Sequence, residues 1–210
     1  MSAKDEILGR IRTALADAPQ APEVPRGYRT SSELDEEALI ELLVDRLVDY
    51  KAGVDVIEES QIPQLVADKL AGASSVVTPQ GLNPQWLSAL PGTIARHVDA
   101  PGDRRSVAEL DAISAVVTSS AVSIAESGTI ILDGEPDQGR RAISLVPDHH
   151  VCIVPVSTVV QLLPEAMPRL TITRPLTWIS GPSATSDIEL ERVEGVHGPR
   201  TLDVLLVRGM

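Results

Sequence analysis

The chain has 210 residues, enough to bury one full hydrophobic core, and its length alone favours a single domain with at most a helical appendage. Hydrophobic residues make up 43% but aromatics only 2%, with no Phe, and 30 Asp+Glu against 18 Lys+Arg give a net charge of −12. That balance repels phosphate backbones and offers no stacking platform, which excludes nucleic acid as a partner. Of the 18 cations 15 are Arg, the side chain whose planar fork suits a small carboxylate or phosphate.

Residues 4–17 place Ile7, Leu8, Ile11, Ala14 and Leu15 at helical spacing, with Lys4, Asp5, Glu6, Arg10 and Arg12 around them. The mixed charges lack the basic face of a membrane-surface helix, so docking on its own core or on a partner is expected. Pro19, Pro22, Pro25 and Gly27 then break regular structure, which divides the chain into an arm and linker over 1–27 and an α/β domain over 28–210. No stretch approaches the roughly 20 apolar residues of a membrane span and no signal-peptide pattern opens the chain, so a cytoplasmic location is expected.

A second helix is predicted from Asp35 to Tyr50 on the Leu39, Leu42, Leu43, Leu47 stripe. Alternation follows: strand Val54 to Ile57, helix Ile62 to Leu70, strand Ser75 to Thr78, short helix Pro84 to Leu90, strand Thr93 to Val98. That is the grammar of a mostly parallel sheet covered by helices in three layers. Ala115 to Thr118, Val122 to Ala125 and Thr129 to Leu132 are too close for intervening helices and suggest a small antiparallel ribbon. Strand Val151 to Pro155, a helix from Val159 to about Met167, strand Thr177 to Ser180, a helix start near Ala184 and strand Val204 to Val207 complete the reading.

Several short segments carry candidate chemistry. Ser180-Gly181-Pro182-Ser183-Ala184-Thr185-Ser186-Asp187 joins a strand to a helix start; Ser180, Gly181, Ser183, Thr185 and Asp187 can present amides and hydroxyls to an anion, or form an ordinary capped connection. Glu126 lies in a turn beside Gly128 and Thr129, as a nucleophile or base, or as a solvated turn residue. Arg140 and Arg141 follow a Gly-rich loop and can clamp a carboxylate, while His197 and Arg200 lie in a glycine-bounded loop before the last strand. Asp148-His149-His150 resembles a metal run, but neighbours on an extended chain point to opposite faces, so no metal site is expected. Cys152, the lone cysteine, cannot form an intramolecular disulfide or an all-cysteine cluster within one chain, and its apolar neighbours predict a buried packing role.

In order, the segments AESGTIIL, GRRAISLVPDHHVCIVP, TWISGPSATSDIEL and GVHGPRTLDVLLV resemble the LutC family of lactate-utilisation proteins over roughly residues 110–207. The resemblance implies a LUD domain with the NagB/RpiA/CoA-transferase-like fold. It also implies participation in oxidising L-lactate to pyruvate beside separate iron-sulfur partner proteins, with no cofactor in this chain. Glu126-Ser127-Gly128 partly resembles the Glu-Asn-Gly motif of distant CoA transferases, with Ser127 in place of Asn. Two functions stay open: an accessory, ligand-binding subunit of a lactate-oxidising system, or a freestanding transferase or isomerase acting on a small anionic metabolite.

Overall fold

A computed structural model describes residues 2–18, 22–181 and 198–210. Helix α1 (Ala3–Ala14) opens with a capping box in which Ser2 Oγ accepts from the Asp5 amide and Asp5 accepts from the Ser2 amide. None of its residues is buried, and Ile7, Leu8 and Ile11 are exposed. Residues 22–34 have no regular secondary structure and are held to the main body by side chains. Arg29 pairs with Glu126 at 2.5 Å, and the Ser32 amide and hydroxyl donate to Glu165 and Gln161 at 2.9 and 2.8 Å. Asp35 then caps α2 (Glu36–Asp49) by accepting from the Ala38 amide, and Ile40, Leu43 and Leu47 form its buried stripe.

The strands are β1 (Gly53–Glu58), β2 (Ser75–Pro79), β3 (Ala95–Asp99), β4 (Ala115–Thr118), β5 (Val122–Ile124), β6 (Thr129–Leu132), β7 (His149–Pro155), β8 (Val159–Val160), β9 (Thr177–Ile179) and β10 (Thr201–Arg208). Six of them form an all-parallel sheet in the order β1-β10-β7-β4-β2-β3. Its central strands are buried on both faces and so carry apolar residues at adjacent positions, Val76-Val77 in β2, Val116-Val117 in β4 and Val151 to Val154 in β7. Val151, Ile153, Leu205 and Val207 pack under α3 (Ile62–Lys69) and the single-turn helix Pro84–Leu87, which carries the buried Trp86. On the opposite face Cys152, Val154, Val204 and Leu206 pack against α2 and a second sheet, ordered β8-β5-β6-β9. Next to them α4 (Val107–Asp111) and α5 (Arg141–Leu145) cover Val77 and Val116. The expected three-layer α/β architecture is thus present.

Three local expectations change. Ala115–Thr118 joins the parallel sheet rather than the ribbon, because all four of its residues are buried between layers. The antiparallel element is the β5–β6 hairpin, which β9 extends antiparallel and β8 parallel. Val159 to Met167 is not one helix. The β-branched pair Val159–Val160 pairs with β5, and helix α6 (Leu163–Ala166) starts only where Pro164 fits a first-turn position. The helix start expected near Ala184 lies outside the described residues.

Candidate functional site

In the main sheet β2 leads to β3 on one side, whereas its other neighbour, β4, leads on toward β7. Connections that depart in opposite directions leave a crevice at the strands' carboxyl ends, the usual ligand position in open α/β sheets. Residues 133–139, which follow β6, cross that crevice. The Gly81 amide donates to the Pro136 carbonyl at 2.8 Å and the Ser119 amide to the Asp137 carbonyl at 3.0 Å. The loop is also tied to itself, since the Asp133 amide donates to Oε1 of the buried Gln138 at 2.6 Å. Gly139 lies at φ +71°, and a Cβ there would sit 2.6 Å from Ile143 Cδ1 and 2.9 Å from Pro79 Cβ, so only glycine closes the turn this tightly.

Beside this loop lies a cavity of about 610 Å³. Its walls combine short apolar side chains, such as Pro101, Pro136, Ala142 and Pro175, with Arg104, Arg140, Arg141 and Arg174 and the acids Asp99, Asp133 and Glu135. Arg140 is fixed: its Nε and Nη2 donate to the two oxygens of the buried Asp99 at 2.8 and 2.9 Å, and Nη2 also donates to the Arg105 carbonyl. Burial alone would raise the Asp99 carboxyl, but the Arg140 fork and the Arg105 amide overcome it and hold Asp99 below the usual carboxylate range. Arg174 pairs with Glu135. Arg104 and Arg141 are exposed, and neither guanidinium makes a hydrogen bond or ion pair among the described residues, although the Arg104 charge also helps hold the Asp99 carboxyl down. They are therefore available to a ligand.

Behind the loop, burial pushes the Asp137 carboxyl above its ordinary range against a hydrogen bond from Ser119, with Glu135 and Asp133 adding to the rise. The buried Thr118 hydroxyl lies 2.8 Å from His150 Nε2 and 3.8 Å from Cys152 Sγ. Burial, then His149, lowers the His150 imidazole to about 3, and burial raises the Cys152 thiol to about 12, so both are neutral packing groups near pH 7. His149 projects to the other face and meets Asp203 at 2.8 Å, where Lys69 bridges Asp203 and Asp55. The two imidazoles thus diverge as alternation on a strand requires. Among the described residues no group of three or more His, Cys, Asp or Glu is placed to hold a metal ion.

The residues singled out in the sequence fall into three places. Arg140 and Arg141 line the cavity. Glu126, Gly128, Thr129, Ser180 and Gly181 gather at the far end of the β6–β9 pair. There Thr129 Oγ1 lies 2.9 Å from Ser180 Oγ and 2.8 Å from Ser127 Oγ, and Gly128 and Gly181, both at positive φ, press against Tyr50 of the α2 C-terminus. Thr177 at the other end of β9 lines the cavity, so the hydroxyl cluster stands about 10 Å further along the strand. Arg200 is exposed and pairs with Asp148 at 3.1 Å, at the amino ends of β7 and β10, away from the crevice. Ser183, Thr185, Asp187 and His197 lie outside the described residues. Asp99, Arg104 and Arg174 were not singled out in the sequence; the Arg104-Arg105 pair after the Pro101-Gly102 break repeats the Gly-then-Arg-pair signal that marked Arg140 and Arg141.

The LUD domain, as a sequence family, matches residues 40–207, a span that takes in both sheets and the whole cavity. The chain belongs to the LUD domain family. A LUD relative from Deinococcus radiodurans, "Lactate utilization protein C", is 42% identical over 209 residues, covering 98% of this chain and 95% of the relative. A protein of the same name from Shouchella clausii is 28% identical, covering 93% of each chain. Among solved structures, a DUF162 family protein of Deinococcus radiodurans superimposes with a TM-score of 0.70 at 37% identity, over 83% of this chain and 99% of that one. The LUD match begins within α2, so α1 and the segment after it lie outside it. No helix among the described residues is long and apolar enough to cross a membrane.

Proposed function

We propose that this chain is a subunit of a cytoplasmic system that oxidises L-lactate to pyruvate, binds an anionic metabolite in the arginine-walled cavity, and leaves the electron transfer to separate iron-sulfur partners. The observation that carries the pathway is its 42% identity, across nearly the full length of both chains, to a protein named for lactate utilisation. A single cysteine supports the division of labour, since one thiolate cannot by itself hold a cluster that takes four ligands. Arg104 and Arg141 support anion binding because their guanidinium groups stand on the cavity wall without a hydrogen bond or ion pair among the described residues. Glu126 supports the transferase alternative poorly: it is paired with Arg29 outside the cavity.

Deleting the gene tests the pathway independently of any ligand. Growth on L-lactate should fall while growth on pyruvate is kept, because pyruvate lies beyond the oxidation. Equal growth of deletion and parent on lactate, in a strain without another lactate dehydrogenase, would overturn the reading.

A further inference from the structure

The volume and charge of the cavity point to a class of ligand, resting on the proposal that this cavity is the binding site. Lactate has six heavy atoms and fills on the order of 100 Å³ at the packing density of condensed matter. The cavity holds about 610 Å³, the range that takes molecules of drug size. A single lactate would leave most of it to water and would touch only part of its wall.

The charges also exceed what a monocarboxylate needs. Arg140 is committed to Asp99 through two hydrogen bonds, and Arg174 is paired with Glu135 and acted on by Asp133. Arg104 and Arg141 remain, one following β3 and the other opening α5. One guanidinium fork satisfies a carboxylate, whereas a phosphate group carries up to two charges and three acceptor oxygens and can engage two forks. Asp133, Gln80 and Thr177 also line the wall, and beside them Pro101, Pro136 and Pro175 give flat, rigid faces suited to an uncharged body.

We propose that the cavity binds an organic phosphate of nucleotide size, with its phosphate between Arg104 and Arg141 and its body against the prolines, rather than lactate or pyruvate.

Calorimetric titration of the full chain with ADP, inorganic phosphate, L-lactate and pyruvate tests this, on the parent and on Arg104→Ala and Arg141→Ala. Neither guanidinium is hydrogen-bonded or ion-paired among the described residues, and circular dichroism and melting confirm that each variant is folded. ADP should bind at least about tenfold more tightly than inorganic phosphate or either acid, and each substitution should weaken ADP by about tenfold or more. Tighter binding of lactate or pyruvate, lost in the same variants, would overturn the phosphate assignment and leave the proposed lactate site standing. Equal affinity for phosphate and ADP would remove the argument from size, and ADP binding indifferent to both substitutions, or no ADP binding, would overturn the inference. The growth phenotype on lactate is decided separately.

Discussion

Asp99 and Arg140 lie 41 positions apart, yet together they set the cavity's shape, because the fixed guanidinium holds the start of α5 against the end of β3. Removing one partner leaves a nearly buried charge uncompensated, so Arg140→Met should cost roughly 3 kcal/mol and abolish ligand binding. A double-mutant cycle with Asp99→Asn, read by urea unfolding, should show strong coupling; additive losses would mean that the pair is incidental. His150 gives a second test. An unfolded imidazole titrates near about 6.5, whereas burial lowers the native one to about 3, so between those values only the unfolded chain takes up the proton. Stability attributable to His150 is therefore complete above about pH 6.5 and is lost as pH falls toward 3, by up to about 1.4 kcal/mol per unit. His150→Leu should flatten the parent's decline between pH 7 and pH 5, and an identical slope in the folded variant would refute the assignment.

The loop over residues 133–139 is the element on which the cavity depends, and it is anchored to two strands at once through Gly81 and Ser119. A Cβ at Gly81 would fall 2.6 Å from the Pro136 carbonyl carbon and 2.7 Å from its oxygen. Gly81→Ala should therefore push the loop off β2 and weaken ligand binding by at least about tenfold while costing only about 1–2 kcal/mol, because the buried strands beneath do not move. Native hydrogen exchange should show protection lost over 133–139 and kept in β4 and β7; loss throughout would mean that the loop is part of the core. These dependencies also explain what could be read in advance. The strands were legible because β-branched runs such as Ser75–Pro79 and Thr129–Leu132 have no other use. The two-residue β8 was hidden, since Val159–Val160 becomes a strand only through its pairing with β5. In the cavity, adjacent Arg140 and Arg141 stood out after glycine, but which of them is structural and which is free is decided by Asp99, whose pairing distance in the chain no local pattern encodes.

At the scale of the whole molecule, stability is concentrated in the residues that follow α1. A twelve-residue helix without buried side chains is marginal by itself, so deleting residues 1–18 should change the urea midpoint by no more than about 0.5 kcal/mol equivalent. Extending the deletion to residue 34 removes the Arg29 and Ser32 contacts to Glu126, Gln161 and Glu165, and stability should then drop measurably. If the short deletion is as costly as the long one, α1 is part of the folded unit.

The scarcity of aromatic side chains has an optical consequence. With two Trp, two Tyr and no Phe, the ultraviolet emission comes almost wholly from two indoles in contrasting surroundings. Trp86 is 6% exposed beneath the main sheet, and Trp178 is 44% exposed on β9, next to the cavity-lining Thr177. Trp178→Phe should leave a blue-shifted signal that acrylamide barely quenches and that changes only on global unfolding. Trp86→Phe should leave a red-shifted, readily quenched one, because alternation on β9 turns Trp178 away from Thr177 and toward solvent. The fold thus carries its own pair of fluorophores, one reporting the integrity of the core and the other the solvent-facing side of the second sheet, without any attached dye.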